Sequence, residues 1–238
     1  MCVSSGRPSG RPSVYEKGGD TMRYLVIIAL LSMSVPGECL AWKEAVLSIP
    51  PAQRQQANNW FAKGSQLENR GEYDAAIAAY SRAVELDATH VQAYIGRGFA
   101  QSMKGNYDQA IRDYTKAIEL DRWSVAAYNN RGQAYARKKN YDLAIKDYSK
   151  AIDFNTNNPV YYYNRGAAYA AQGKYEPAIQ DYNVALAFDL KNAEAYANRG
   201  AAYYKAGNRQ QAIADLKIAC DLGVGTACKN LQIAEGKN

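Results

Sequence analysis

The chain carries a single histidine, His90, and no set of residues that would put it to catalytic use. A zinc site needs several converging ligands, and no second histidine exists to join the first. The sequence has no Cys-x-x-Cys-His haem attachment, no Gly-x-Ser-x-Gly elbow and no phosphate-binding glycine loop. No serine–histidine–aspartate set is placed to use His90, which falls in a turn between two helical patterns. The expectation is a protein that is not an enzyme and takes no cofactor, metal or small-molecule substrate. Two other kinds of chemistry remain. One is the thiol pair Cys220 and Cys228; the other is Arg97, Arg131, Arg165 and Arg199, matched in order by Asp113, Asp147, Asp181 and Asp215. A charge pair that recurs unchanged reads as an ion-pair ladder between helices, because a ligand site would vary from copy to copy.

Those arginines belong to a longer period. Gly64, Gly98, Gly132, Gly166 and Gly200 stand 34 residues apart, and a fixed period of this length means one supersecondary unit copied along the chain. With the glycine at position 8, the repeats cover 57–90, 91–124, 125–158, 159–192 and 193–226. Position 4 is Trp60, Tyr94, Tyr128, Tyr162 and Tyr196; position 24 is Tyr80, Tyr114, Tyr148, Tyr182 and Leu216. Positions 20 and 27 are alanine throughout, from Ala76 and Ala83 to Ala212 and Ala219. Steps of three and four put positions 4, 8 and 11 on one stripe of a first helix, and 20, 24 and 27 on a second. Arg70-Gly71, Lys104-Gly105, Lys138-Lys139-Asn140, Gly173 and Gly207 supply the turns between them. The fold class is therefore all-α, an α–α superhelix of about five helix–turn–helix units with a short capping helix over 227–238. Such an array buries its core between neighbours and leaves a long concave face, whose default role is to hold a partner.

This pattern resembles the tetratricopeptide repeat over 57–226, with five copies in phase. Two departures are visible: position 7 is Lys63 or an arginine where the family has an apolar residue, and the family's proline at position 32 is missing. The resemblance implies that the first helices line the groove, chiefly through positions 2, 5, 6, 9, 12 and 13. In repeats 1 and 2 those positions bring Phe61, Ile95, Phe99 and Met103, an apolar end. Farther along they bring Asn129, Asn130, Gln133 and Arg137, then Tyr163 and Asn164, then Asn198, Tyr204 and Lys205. Asn130, Asn164 and Asn198 form a ladder at position 6; it either bonds the backbone of an extended peptide or is repeat consensus satisfied by water or neighbouring helices. The lysines of the family's carboxylate clamp are absent. The apolar patch is open to a partner or covered by the segment 42–56, whose Trp42, Val46, Leu47 and Ile49 need burial.

After the last repeat, Gly223 and Gly225 make a turn and Thr226 is placed to cap a final helix bearing Cys228. Cysteines facing across such a corner can meet disulfide geometry. Their spacing is similar to that of secreted Sel1-like repeat proteins, which implies a structural disulfide; two reduced thiols and a redox-active pair are the alternatives.

Residues 1–41 read as a leader. Met22-Arg23-Tyr24 precedes an apolar run from Leu25 to Val35, too short for a comfortable membrane span, and Cys39-Leu40-Ala41 offers a signal peptidase its small residues. The expected cut falls between Ala41 and Trp42, giving a periplasmic or secreted protein; an uncleaved leader would instead anchor it in the inner membrane. Lys17-Gly18-Gly19-Asp20-Thr21 can be encoded as a ribosome-binding site, which makes Met22 the expected start and 1–21 a mis-called extension. The net charge of +6, from 29 basic against 23 acidic residues, is mild. No basic cluster with interleaved aromatics marks a nucleic-acid groove. The expected function is a bacterial envelope scaffold that binds a protein or peptide segment. A structural part of an outer-membrane or pilus machine is the alternative, as is an intracellular adaptor should the leader not be a signal.

Overall fold

A computed structural model describes residues 49–237. The leader, its expected cleavage site, Trp42, Val46 and Leu47 lie outside the described residues. The chain divides into two units, Met1–Gln56 and Ala57–Asn238. The repeats, their core and the groove all belong to the second.

The described elements are all helices, in the order α1 (Pro51–Asn69), α2 (Tyr73–Leu86), α3 (Val91–Met103), α4 (Tyr107–Leu120), α5 (Val125–Arg137) and α6 (Tyr141–Phe154), continuing with α7 (Pro159–Ala171), α8 (Tyr175–Phe188), α9 (Ala193–Lys205), α10 (Arg209–Asp221) and α11 (Gly225–Glu235). Each helix packs on the next in sequence, and first helices of adjacent repeats from repeat 2 onward also touch, so this is an α–α superhelix. Helix α1 opens on Pro51, whose fixed φ suits a first turn.

The small and large repeat residues meet as their sizes require. Ala76, Ala110, Ala144, Ala178 and Ala212 are wholly buried, and Tyr80, Tyr114, Tyr148, Tyr182 and Leu216 sit beside them almost as deeply. Each position-8 glycine faces the position-24 side chain of its own repeat. A Cβ at Gly132 would lie 2.8 Å from the Tyr148 ring, and one at Gly98 would lie equally close to Tyr114. Glycine is required there because the ring occupies the space of a side chain.

Local bonds end each helix and start the next. The first-to-second turn is a Schellman closure: the Asn106 N–H donates to the Gln101 carbonyl and the Gly105 N–H to that of Ser102, with the same pair of bonds in every repeat. The left-handed residue at position 15 is Gly71, Gly105, Gly173 and Gly207, and in repeat 3 it is Lys139, at φ 60°. Between repeats, position 31 folds the chain back with its side chain. Asp87, Asp121, Asn155 and Asp189 each accept a bond from the N–H two residues on. The sequence pattern left this role unassigned, although an aspartate or asparagine four residues ahead of a helix start is a readable signal. At the C-terminal corner, Thr226 does not cap α11. The Val224 N–H closes α10 on the Ala219 carbonyl, so the last helix begins at once at Gly225, with Val224 as its cap residue.

The arginine–aspartate ladder joins helices and also spans repeats. Arg97, Arg131, Arg165 and Arg199 each grip their aspartate with two parallel bonds of 2.7–2.8 Å. The remaining guanidinium nitrogen donates to Ser81, Thr115, Ser149 or Asn183 of the preceding repeat. Donating to Asp113 holds the Arg97 guanidinium above its ordinary pKa against the opposing effect of burial. This explains why position 7 departs from an apolar residue: its charge is neutralised inside the repeat boundary. In repeat 1, where position 23 is Ala79, Lys63 instead stands over the Trp60 ring at 4.8 Å.

Candidate functional site

His90, first on chemical grounds, is a helix cap. Its Nδ1 accepts the Ala93 N–H at 3.2 Å, and its ring lies 5.0 Å from that of Phe61. Burial lowers its pKa, opposed by Asp87, so it stays neutral and able to accept that bond. Among the described residues no three or more histidine, cysteine, aspartate or glutamate side chains gather as a metal site would require. Cys220 and Cys228 form a disulfide, with Cα atoms 4.8 Å apart, that ties α10 to α11.

The inner face carries two adjoining hollows. The first, about 250 Å³, is lined by Phe99, Ser102 and Met103 of α3, Asn130, Gln133 and Arg137 of α5, and the rings of Tyr107 and Tyr114 on α4. The second, about 360 Å³, lies between α5 and α7, with Asn164 and Ala167 on one wall and Tyr141 and Tyr148 from α6 below. Gln133 and Arg137 line both, so the hollows form one groove across repeats 2 to 4. Burial pushes the Tyr114 and Tyr148 phenols well above their ordinary range, so both floor residues stay neutral. A third hollow of about 210 Å³ lies at the far end, where Tyr204 and Lys205 meet Asn230 and Ile233 of α11. The capping helix thus stands where the first helix of a further repeat would.

The expected groove residues divide sharply. Phe99 and Met103 are open, at 36% and 52% exposure. Ile95 is not: at 8% exposure it packs with Ala110, Tyr114 and Ala127, because α5 of the next repeat covers that flank of α3. Phe61 is half-buried against the repeat 1 core, 5.8 Å from the Tyr80 ring. The apolar end is therefore narrower than expected. Of the asparagine ladder, Asn164 donates to Asn129 at 3.2 Å and Asn198 to the Tyr163 hydroxyl at 2.8 Å, while Asn129 donates to Asn130. Position 6 thus bonds position 5 of the preceding repeat, which is the neighbouring-helix reading. Asn130 and Asn164 nonetheless still line the groove. Tyr107 and Tyr141, at the same position of successive repeats, are half-buried and flank the hollows.

Comparison with known proteins agrees with this geometry. A family profile described as TPR repeat matches residues 64–105, 103–139 and 168–207. Two described as tetratricopeptide repeat match 125–158 and 148–180. No curated protein matches the chain in sequence. Among solved structures, a MamA protein is 27% identical over 71% of this chain and 92% of its own, with a TM-score of 0.65. YrrB, described as a TPR protein with an unusual peptide-binding site, shares the fold at 22% identity, covering 81% and 97% with a TM-score of 0.66. MamA from Desulfovibrio magneticus RS-1 shares it at 16% identity, covering 74% and 97% with a TM-score of 0.67. With profiles that together cover residues 64 to 207, more than half of its length, the chain belongs to the tetratricopeptide repeat family, whose stacked helices serve as protein-interaction scaffolds.

Proposed function

We propose that this protein is an exported scaffold of the bacterial envelope that holds a segment of another protein in the groove of repeats 2 to 4. One observation carries the reading. Repeated residues such as Tyr107, Tyr114, Tyr141 and Tyr148 floor and flank the two joined hollows, whereas their rims carry residues that differ between copies, among them Phe99, Met103, Gln133 and Arg137. A surface built from the variable positions of a regular array is where specificity can reside. Hollows of this size and openness suit side chains of an extended peptide or helix laid along them. The description of YrrB as a peptide-binding member of this fold supports the same use. Export is supported by the signal-like residues 22–41 and by the Cys220–Cys228 disulfide, which needs an oxidising compartment to persist.

Replacing Gln133 with a photo-crosslinking amino acid in the full chain, expressed in its host, tests the groove directly. A discrete envelope-protein adduct is expected, and none from the same probe at exposed Lys146 on the second helix of that repeat. Adducts only from position 146 would move the partner to the outer face. Amino-terminal sequencing of the same material should begin at Trp42; a cytosolic protein with an intact leader would overturn export.

A further inference from the structure

The charge of the groove is not balanced. Among the described residues, neither joined hollow is lined by a carboxylate, and Arg137, which borders both, makes no ion pair or hydrogen bond. Two neighbouring cations are engaged: Arg131 is held by Asp147, and Lys138, next in sequence, pairs with Asp108. Arg137 is also free of the consensus. Its position in the repeat is Asn69 in repeat 1, Met103 in repeat 2, Ala171 in repeat 4 and Lys205 in repeat 5, so it serves no packing shared by the array. A guanidinium with neutral amide and phenol neighbours, open to solvent on one side, is complemented by a carboxylate, which its fork can meet with two parallel bonds. A phosphate, carrying about twice that charge, is ordinarily met by a cluster of arginines, and here there is one.

On the far wall of the first hollow, Phe99 and Met103 are exposed. The unbranched thioether of Met103 adapts to apolar groups of different shape. Apolar surface and unpaired cation thus border the same hollow.

We infer that the groove of repeats 2 to 4 selects an acidic residue close to an apolar one in the segment it holds, the carboxylate meeting Arg137 and the apolar side chain meeting Phe99 and Met103. This rests on the groove being a peptide site. It adds the chemical class of the partner.

The test is binding of the full chain to a positional-scanning library of nine-residue peptides that includes phosphoserine, read by fluorescence anisotropy at low salt. Enrichment of aspartate or glutamate within a few positions of a leucine, isoleucine or phenylalanine is expected. Arg137→Gln should weaken the best acidic peptide about tenfold and erase the acidic preference while leaving the apolar one. Phe99→Ser should do the reverse. Both positions are exposed, and an unchanged melting temperature confirms that the variants fold. Selection of apolar residues with no acidic preference, an acidic preference that survives Arg137→Gln, or a preference for phosphoserine over aspartate would overturn the inference and leave the peptide groove standing. Failure of every peptide to bind would overturn the groove reading itself, and the inference with it.

Discussion

Arg131 grips Asp147 with two parallel bonds, Nε to Oδ2 at 2.7 Å and Nη2 to Oδ1 at 2.8 Å, at a position where only 4% of the aspartate side chain is exposed. The third arm of the guanidinium reaches back to Thr115 in the preceding repeat at 3.0 Å. One side chain therefore fixes the two helices of its own repeat and the boundary with the one before. Tyr128 and Tyr135 pack along its plane, with ring centroids 5.7 and 6.0 Å away.

Removing one partner of such a pair leaves the other poorly solvated and unbalanced. Asp147→Ala is expected to cost about 3 kcal/mol of unfolding free energy. Replacing both, as Arg131→Leu with Asp147→Leu, should cost markedly less, because no charge is left behind. Urea unfolding of the two variants checks this; equal losses would mean that packing, and not charge, is what the pair supplies.

Lys139 offers the opposite kind of change. It holds φ 60° where the four equivalent positions are glycine, its side chain is exposed, and a left-handed backbone costs an L residue energy. Lys139→Gly should raise stability by about 1 kcal/mol, visible as a higher urea midpoint with an unchanged slope. A lower midpoint would show that the lysine side chain makes a contribution larger than its backbone strain.

The His90 cap has a pH signature. Its folded pKa lies below the ordinary 6.5, so as pH falls the unfolded chain takes up the proton first. The stabilisation is complete above about pH 6.5 and is lost as pH drops from there toward the folded value. His90→Asn keeps a capping acceptor without the titration. Its stability should therefore fall less than the wild type's between about pH 7.5 and pH 5, in urea melts at both values. Parallel losses would assign the acid sensitivity to other groups.

The disulfide is expected to act locally. It closes a short loop, which in the chain-entropy account amounts to about 2–3 kcal/mol, and α11 spans only Gly225–Glu235. Cys220→Ser with Cys228→Ser should open α11, seen as fast amide exchange over 225–235. Exchange in α3 to α8 should stay as slow as in the wild type. Loss of protection throughout the array would mean that the cap supports the whole superhelix.

Most of the packing was legible in the chain, because a perfect 34-residue period names the same environment five times. Position 8 had to be small and position 24 large, and the structure sets Gly132 against Tyr148 accordingly. The ladder of Arg97, Arg131, Arg165 and Arg199 was legible as ion pairs, but not its third bond across the repeat boundary. That bond goes to a serine, threonine or asparagine, a residue type with no signal of its own on an exposed helix.

The groove was legible only in outline. Helical periodicity gives each residue a direction, and by that measure Ile95 and Phe99, four residues apart, share a face. Tertiary packing separates them. Helix α5 and Ala127 close over Ile95 and leave Phe99 open. The asparagines were likewise visible as a ladder, yet whether their amides turn to a ligand or to one another depends on residues 35 positions apart, such as Asn164 and Asn129. The sequence by itself determined what is local and repeated: the helices, their turns, the small-to-large packing and the charge pairing. The tertiary structure decided which variable side chains stay open and unpaired, because exposure is set by where the neighbouring repeat lands. Arg137 became a candidate contact when its surroundings proved to hold no partner for it among the described residues.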